Sequence, residues 1–158
     1  MTKHCLNDYQ LQFLREMIKR GVRFLVIGGQ ARNVYHGTRT RDLDLWVDIS
    51  SQNRPALDLC LMAWAAEHPM HSAANFSPPL PLRPGVQIKF PDDEVFYVGA
   101  DGEPTAIVPA DCIDVLTSIG AADFGKFYDR AEWHEIAGIR LPLLARDDLN
   151  VVSPAKSV

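Results

Sequence analysis

An apolar run ending in two glycines, Phe24-Leu25-Val26-Ile27-Gly28-Gly29, is followed a short way on by Asp42-Leu43-Asp44. No other feature of the chain constrains it more. The pattern reads as a buried strand, a glycine turn, a short helix over residues 30–35, and a second strand over residues 42–49. Strand side chains alternate, so Asp42 and Asp44 are expected on one face while Leu43 and Leu45 point to the other. Two neighbouring carboxylates repel unless a positive charge lies between them, and a hard divalent cation suits carboxylate oxygens. A solvated sheet face, which would also carry Asp48, explains the pair equally well when it is taken alone. The glycine turn shifts the balance, because backbone N–H groups at a helix start can receive phosphate. Metal and phosphate together point to nucleotide chemistry.

A chain of 158 residues suits one domain with a real core. The net charge of −4 does not mark a nucleic-acid binder, although a local basic patch on an acidic protein stays open. Cys5, Cys60 and Cys112 are odd in number and widely spaced, with no CxxC pair. Neither a zinc site nor a disulfide framework is suggested, and reduced thiols in a cytoplasmic protein are expected. The polar N-terminus has no apolar signal region, and no apolar run approaches the roughly 20 residues of a membrane span.

Elsewhere the spacing predicts a helix over residues 6–20, with Asn7 or Asp8 as its cap and Gly21 as its stop, and the apolar run as a strand over residues 22–27. Asn53 is the expected cap of a helix reaching about Glu67, with Pro55 in its first turn. Residues 68–84, with five prolines, read as a loop. Residues 86–90 and 94–98 alternate like strands around Pro91-Asp92-Asp93, a hairpin signal, and Ala100-Asp101-Gly102 marks a turn. Short strands are expected over residues 106–108 and 112–116, a helix over 124–132, and a last hairpin around Gly138. Asp147-Asp148-Leu149 reads as a helix opening, giving a domain over residues 1–149 and a short irregular tail over 150–158. Helices mixed with hairpins predict an α/β (α+β) protein with a mixed sheet.

Asp114 strengthens the metal reading, since it interrupts an apolar strand, Cys112-Ile113-Asp114-Val115-Leu116. Aspartate is disfavoured in strands and is rarely buried without a partner. Three carboxylates on two neighbouring strands could hold divalent ions that bind a triphosphate and activate a hydroxyl. Gln30 could add a phosphate contact, and the segment Thr38-Arg39-Thr40-Arg41 is basic and hydroxylic. Solvated loop charges explain Arg39 and Arg41 about equally well. His36 lies between the glycines and the arginines and could approach the site. His68 and His71 carry only a weak metal signal, and His134 reads as surface.

Gly28-Gly29, a short helix and then Arg39-Thr40-Arg41-Asp42-Leu43-Asp44-Leu45-Trp46-Val47 resemble the DNA polymerase β-like nucleotidyltransferase superfamily. The resemblance is strongest to its small bacterial branch related to AbiEii-type toxins. Residues 113–119 resemble the strand bearing that family's third carboxylate, and the likeness runs from about Leu6 to Leu149. It implies a nucleotidyltransferase fold, a mixed β-sheet flanked by helices. It also implies that Asp42, Asp44 and Asp114 hold Mg²⁺ or Mn²⁺, and that Asp114 helps deprotonate an attacking hydroxyl. Gly28 and Gly29 would cradle a nucleoside triphosphate such as ATP, with Gln30, Arg39, Thr40 and Arg41 near it. The implied reaction transfers a nucleoside monophosphate to a hydroxyl on RNA, protein or a small molecule and releases pyrophosphate. Relatives continue past Leu149 into a basic helix, whereas Pro154 disfavours one here, so Lys156 or a partner would supply that charge. The alternative expectation is therefore a catalytically impaired nucleotide- or partner-binding protein of a toxin–antitoxin or phage-defence pair.

Overall fold

In the computed structural model the apolar run becomes strand β1 (Phe24–Ile27), buried at all four positions near the middle of a seven-stranded mixed sheet. The structure describes residues 4–68, 71–72, 82–91, 94–98, 104–109 and 112–152, and for 71–72, 91, 94–98 and 104–109 it describes the backbone alone. The other strands are β2 (Leu43–Val47), β3 (His71–Ser72), β4 (Gln87–Pro91), β5 (Glu94–Val98), β6 (Pro104–Pro109), β7 (Cys112–Leu116), β8 (Glu132–Ile136) and β9 (Ile139–Leu143). The large sheet has the order β3-β4-β7-β2-β1-β9-β8, and β5 and β6 form a separate antiparallel pair. β1 runs antiparallel to β2 and parallel to β9, while β2 and β7 are parallel. The helices are α1 (Asp8–Lys19), α2 (Gly28–His36), α3 (Arg54–Glu67) and α4 (Phe124–Asp129). The expectation of a mixed α/β sheet flanked by helices is met.

Period-two alternation explains how the sheet is covered. Leu43, Leu45 and Val47 share one face of β2, and all three are fully buried. Their neighbours Ile88 and Phe90 on β4 continue that face, and Phe90 meets Phe13 of α1 with ring centroids 5.6 Å apart. Phe13 also packs edge-on against Trp64 of α3, and Met17 touches Cys60, so α1 and α3 form one layer over this face. The opposite face of β2 carries Asp44 and Trp46. Trp46 is buried under Phe124 and Phe127 of α4, at 5.2 and 5.8 Å. That aromatic cap covers one end of the face and leaves Asp44 at the other end partly open.

Local chemistry accounts for the main boundaries. Asn7 and Gln10 form a reciprocal capping box at the start of α1, and Gly21 takes a φ of 71° just beyond its end. Several expectations are corrected. α2 begins at Gly28, so the two glycines open the helix and do not form a separate turn before it. Asn53 precedes α3 but does not cap it by its side chain. Its carboxamide instead accepts the Arg23 N–H at 2.7 Å and donates to the carbonyls of Asp48 and Arg23, at 2.6 and 3.1 Å. The helix expected to reach residue 132 ends at Asp129, because Glu132 enters β8. β4 does not form a hairpin with β5: it pairs with β7 and β3. Alternation identifies a strand and its faces but not its partner. His71 and Ser72, expected in a loop, form β3, while the hairpin tip Asp92-Asp93, the turn Ala100-Asp101-Gly102, much of the proline-rich stretch and residues 153–158 lie outside the described residues.

Candidate active site

The strand register brings a row of four residues across one face of the sheet. Ile27 of β1 stands opposite Asp44 of β2, Asp44 beside Asp114 of β7, and Asp114 opposite Lys89 of β4. The two aspartates come from parallel strands at one level, so their carboxylates lie side by side. Asp114 is 5% exposed, and Lys89 places its Nζ 3.4 Å from Asp114 Oδ1. That Oδ1 is buried and accepts no hydrogen bond. A buried carboxylate oxygen without a donor is costly unless a cation approaches it.

The electrostatics follow from this crowding. Burial first, then the negative charge of Asp114 and a hydrogen bond with it, then the charge of Asp42, push Asp44 from 3.8 up to about 7, against an opposing pull from Lys89. Burial alone would lower the Lys89 ammonium, but the neighbouring Asp114 outweighs it and Lys89 is raised. Lys89 escaped the sequence reading. In Gln87-Ile88-Lys89-Phe90 it looks like an ordinary solvated position, and only the pairing of β4 with β7 sets it against Asp114.

The glycines are explained by close approach. Gly28 has a φ of 62°, and a Cβ placed on it would lie 2.5 Å from Asp44 Oδ2. A Cβ on Gly29 would lie 2.5 Å from Thr40 Oγ1. The start of α2 is therefore pressed against one of the carboxylates and against the hydroxyl of the 37–42 loop. The Asp44 carboxylate occupies the place that a side chain at Gly28 would need.

Asp42 departs from expectation. Sheet pairing begins at Leu43, so Asp42 lies just before the strand and is exposed. Its Oδ1 accepts the Cys112 N–H at 3.1 Å. Gln30 is buried, and its Nε2 donates to the Asp42 carbonyl at 3.1 Å, so that donor faces the loop backbone. Arg39 and Arg41 are exposed and Thr40 half-buried on the same loop. His36 is exposed at the far end of α2, and His68 stacks on Trp64 at 4.0 Å, over the helical layer. Two further carboxamides were not anticipated. Gln10 Nε2 donates to the carbonyls of Arg41 at 2.7 Å and Cys112 at 3.4 Å, and Asn33 Nδ2 donates to the Thr38 carbonyl at 2.9 Å. The visible signal was a polar residue, Gln10, within the apolar stripe of Leu6, Phe13, Leu14 and Met17.

Among the described residues, no group of three or more His, Cys, Asp or Glu side chains converges at metal-holding spacing. Asp42 is turned toward Cys112, which leaves Asp44 and Asp114 as the nucleus of the site. That nucleus fits a divalent cation on two counts: a buried Asp114 Oδ1 that accepts no hydrogen bond and has only the Lys89 ammonium near it, and an Asp44 carboxyl raised by burial and by its crowding against Asp114.

No family model matches the chain, and no curated protein matches it. Among solved structures it is similar to an antigenic nucleotidyltransferase-like protein from Paracoccidioides brasiliensis, with 12% identity and a TM-score of 0.44. The match covers 85% of this chain and 57% of that one, so this chain spans little more than half of that protein's length. At that score the likeness assigns neither a family nor an activity. Among the described residues no helix is long and apolar enough to cross a membrane.

Proposed function

We propose that this chain is a metal-dependent nucleotidyltransferase-fold enzyme of the DNA polymerase β-like kind. It would transfer a nucleoside monophosphate from a triphosphate to a hydroxyl. The observation that carries this reading is the Asp44–Asp114 register, set against a glycine whose missing side chain gives the Asp44 carboxylate its place. Asp44 and Asp114, joined by Asp42, would hold Mg²⁺ or Mn²⁺, which supplies charge stabilisation to the phosphates and to the attacking and leaving oxygens. The first turn of α2 offers backbone N–H groups to the triphosphate. Thr40, Arg39 and Arg41 stand on the loop facing that turn. Asp114 accepts the proton as the acceptor hydroxyl attacks the α-phosphate, and pyrophosphate leaves. RNA, protein and small molecules remain the candidate acceptors, and Cys5, Cys60 and Cys112, none of them in a disulfide, suit a reducing cytoplasm.

Isothermal titration with Mg²⁺ and each of the four triphosphates, on the native chain and on Asp42→Asn and Asp44→Asn, tests the site. Equal heats in all three proteins would exclude a metal–nucleotide centre there. Lys89 favours a second reading, because a cation already stands beside Asp114 and a metal-free binding protein of a toxin–antitoxin or phage-defence pair would have its charge partly balanced. Labelled-triphosphate transfer into cell lysate separates the two: a labelled acceptor that disappears in Asp114→Asn sinks the binding-only reading.

A further inference from the structure

We infer that Gln10, a residue of α1 remote in sequence from Asp42, Asp44 and Asp114, is the positioning residue of the site. Its side chain is 0% exposed and its two ends do different work. Oε1 accepts the Asn7 N–H at 3.1 Å and completes the capping box. Nε2 faces the sheet and reaches two carbonyls at once, Arg41 at 2.7 Å and Cys112 at 3.4 Å. These two residues stand two positions before β2 and at the start of β7, the parallel strands that carry Asp44 and Asp114. Asp42 closes the ring by accepting the Cys112 N–H at 3.1 Å.

This clasp sets register. Slipping β7 by one residue against β2 would send Asp114 to the other face of the sheet, among Leu43, Leu45 and Ile88. In a parallel pair no tight turn fixes the alignment, because the strands are distant in sequence. Here a single NH₂ group holds the entering backbones of both strands at one height, so Asp44 meets Asp114 directly. The same group orients Cys112, whose N–H in turn holds Asp42. Gln10 touches no reacting atom and acts through all three carboxylates.

The two ends of the side chain allow the inference to be tested apart from helix capping. Gln10→Leu removes both ends, Gln10→Glu keeps the capping acceptor but loses the donor, and Asn7→Ala damages the cap and leaves Nε2 untouched. The readouts are Mn²⁺ affinity by calorimetry and hydrogen exchange of the Cys112 amide by NMR, referred to the Leu45 amide as a report of global opening. We expect Gln10→Leu and Gln10→Glu to weaken Mn²⁺ binding roughly tenfold, the lower end for residues that orient ligands from behind. We expect them to speed Cys112 exchange roughly tenfold or more relative to Leu45, while Asn7→Ala changes neither ratio. Cys112 exchange that follows Leu45 equally in all three variants would overturn the inference. The metal readout rests on the proposed function. Failure of the native chain to bind Mn²⁺ would overturn that function, and the exchange ratio alone would then decide for or against Gln10.

Discussion

Replacing Asp44 by asparagine should make the metal-free protein more stable at neutral pH and abolish its response to divalent metal. Asp44 sits beside Asp114, with burial as the main cause of its shift and like charge as the next. A carboxyl raised from 3.8 to about 7 binds its proton more tightly in the folded chain than in the unfolded one. Its contribution is therefore fully present below about pH 4 and is lost as pH rises toward 7. At 1.36 kcal/mol for each pH unit the shift corresponds to roughly 4 kcal/mol. Asp44 is only partly buried, and solvent screening should reduce the measured figure to about 2 kcal/mol. Asparagine is nearly isosteric with the protonated acid and carries none of this penalty.

Urea denaturation with a chelator present, at about pH 4.5 and about pH 7.5, gives the difference between variant and native chain, in which other titrating groups cancel. That difference should be small at the lower pH and about 2 kcal/mol in favour of Asp44→Asn at the higher one, or about 4–8 °C in Tm. Adding Mg²⁺ at roughly a hundred times its Kd should return about 2.7 kcal/mol to the native chain and nothing to the variant. An Asp44→Asn protein that is no more stable at about pH 7.5, with a difference independent of pH, would refute the claim that two crowded carboxylates share this site.

Gly28→Ala would force a Cβ against Asp44 Oδ2 on a backbone of positive φ, so we expect a loss of about 1–3 kcal/mol in thermal unfolding together with weakened metal binding. Gly29→Ala meets the Thr40 side chain instead, and adding Thr40→Ser to it leaves the Oγ1 clash at 2.5 Å, whereas adding Thr40→Ala removes that clash and leaves only the Cβ contact at 2.9 Å. A double-mutant cycle on Gly29→Ala and Thr40→Ala should give a coupling of about 1 kcal/mol. Asn53→Ala would orphan the Arg23 N–H and the Asp48 carbonyl, while the Arg23 carbonyl keeps the Asp48 N–H at 3.1 Å, costing roughly 2–3 kcal/mol by urea denaturation without changing metal affinity. Trp46→Ala opens a cavity beneath Phe124 and Phe127 and should cost about 3–5 kcal/mol by the same measurement.

Local chemistry made much of this molecule legible in its sequence. β1, β2 and β7 are visible because apolar runs have no other way to be buried, and α1 is visible through its stripe and a cap at Asn7 or Asp8. Asp44 and Asp114 stand out as charges interrupting such runs. What could not be read were the partners of each element. β4 was legible as a strand, yet only its pairing with β7, more than twenty residues on, turns Lys89 from a solvated lysine into the counter-charge of Asp114. Asn53 carries a capping residue's signature but is recruited by Arg23, thirty positions earlier, which no local pattern encodes. Asp42 looked like the equal of Asp44 because alternation assumes that the strand has already begun, and pairing starts one residue later.

The same distinction separates two kinds of constraint on the site. The carboxylates supply charge, and charge of this kind can be gained or lost by one substitution. Their usefulness depends on height along two parallel strands, a property of the sheet and not of any one side chain. Gln10, Gln30 and Asn33 set that height and shape through the carbonyls of Arg41, Cys112, Asp42 and Thr38. A buried carboxamide is costly unless its donors are met, so each one enforces the loop conformation that satisfies it. The loop bearing Thr40, Arg39 and Arg41 is in this way preorganised before any ligand arrives, and binding there need not bear the full cost of ordering it.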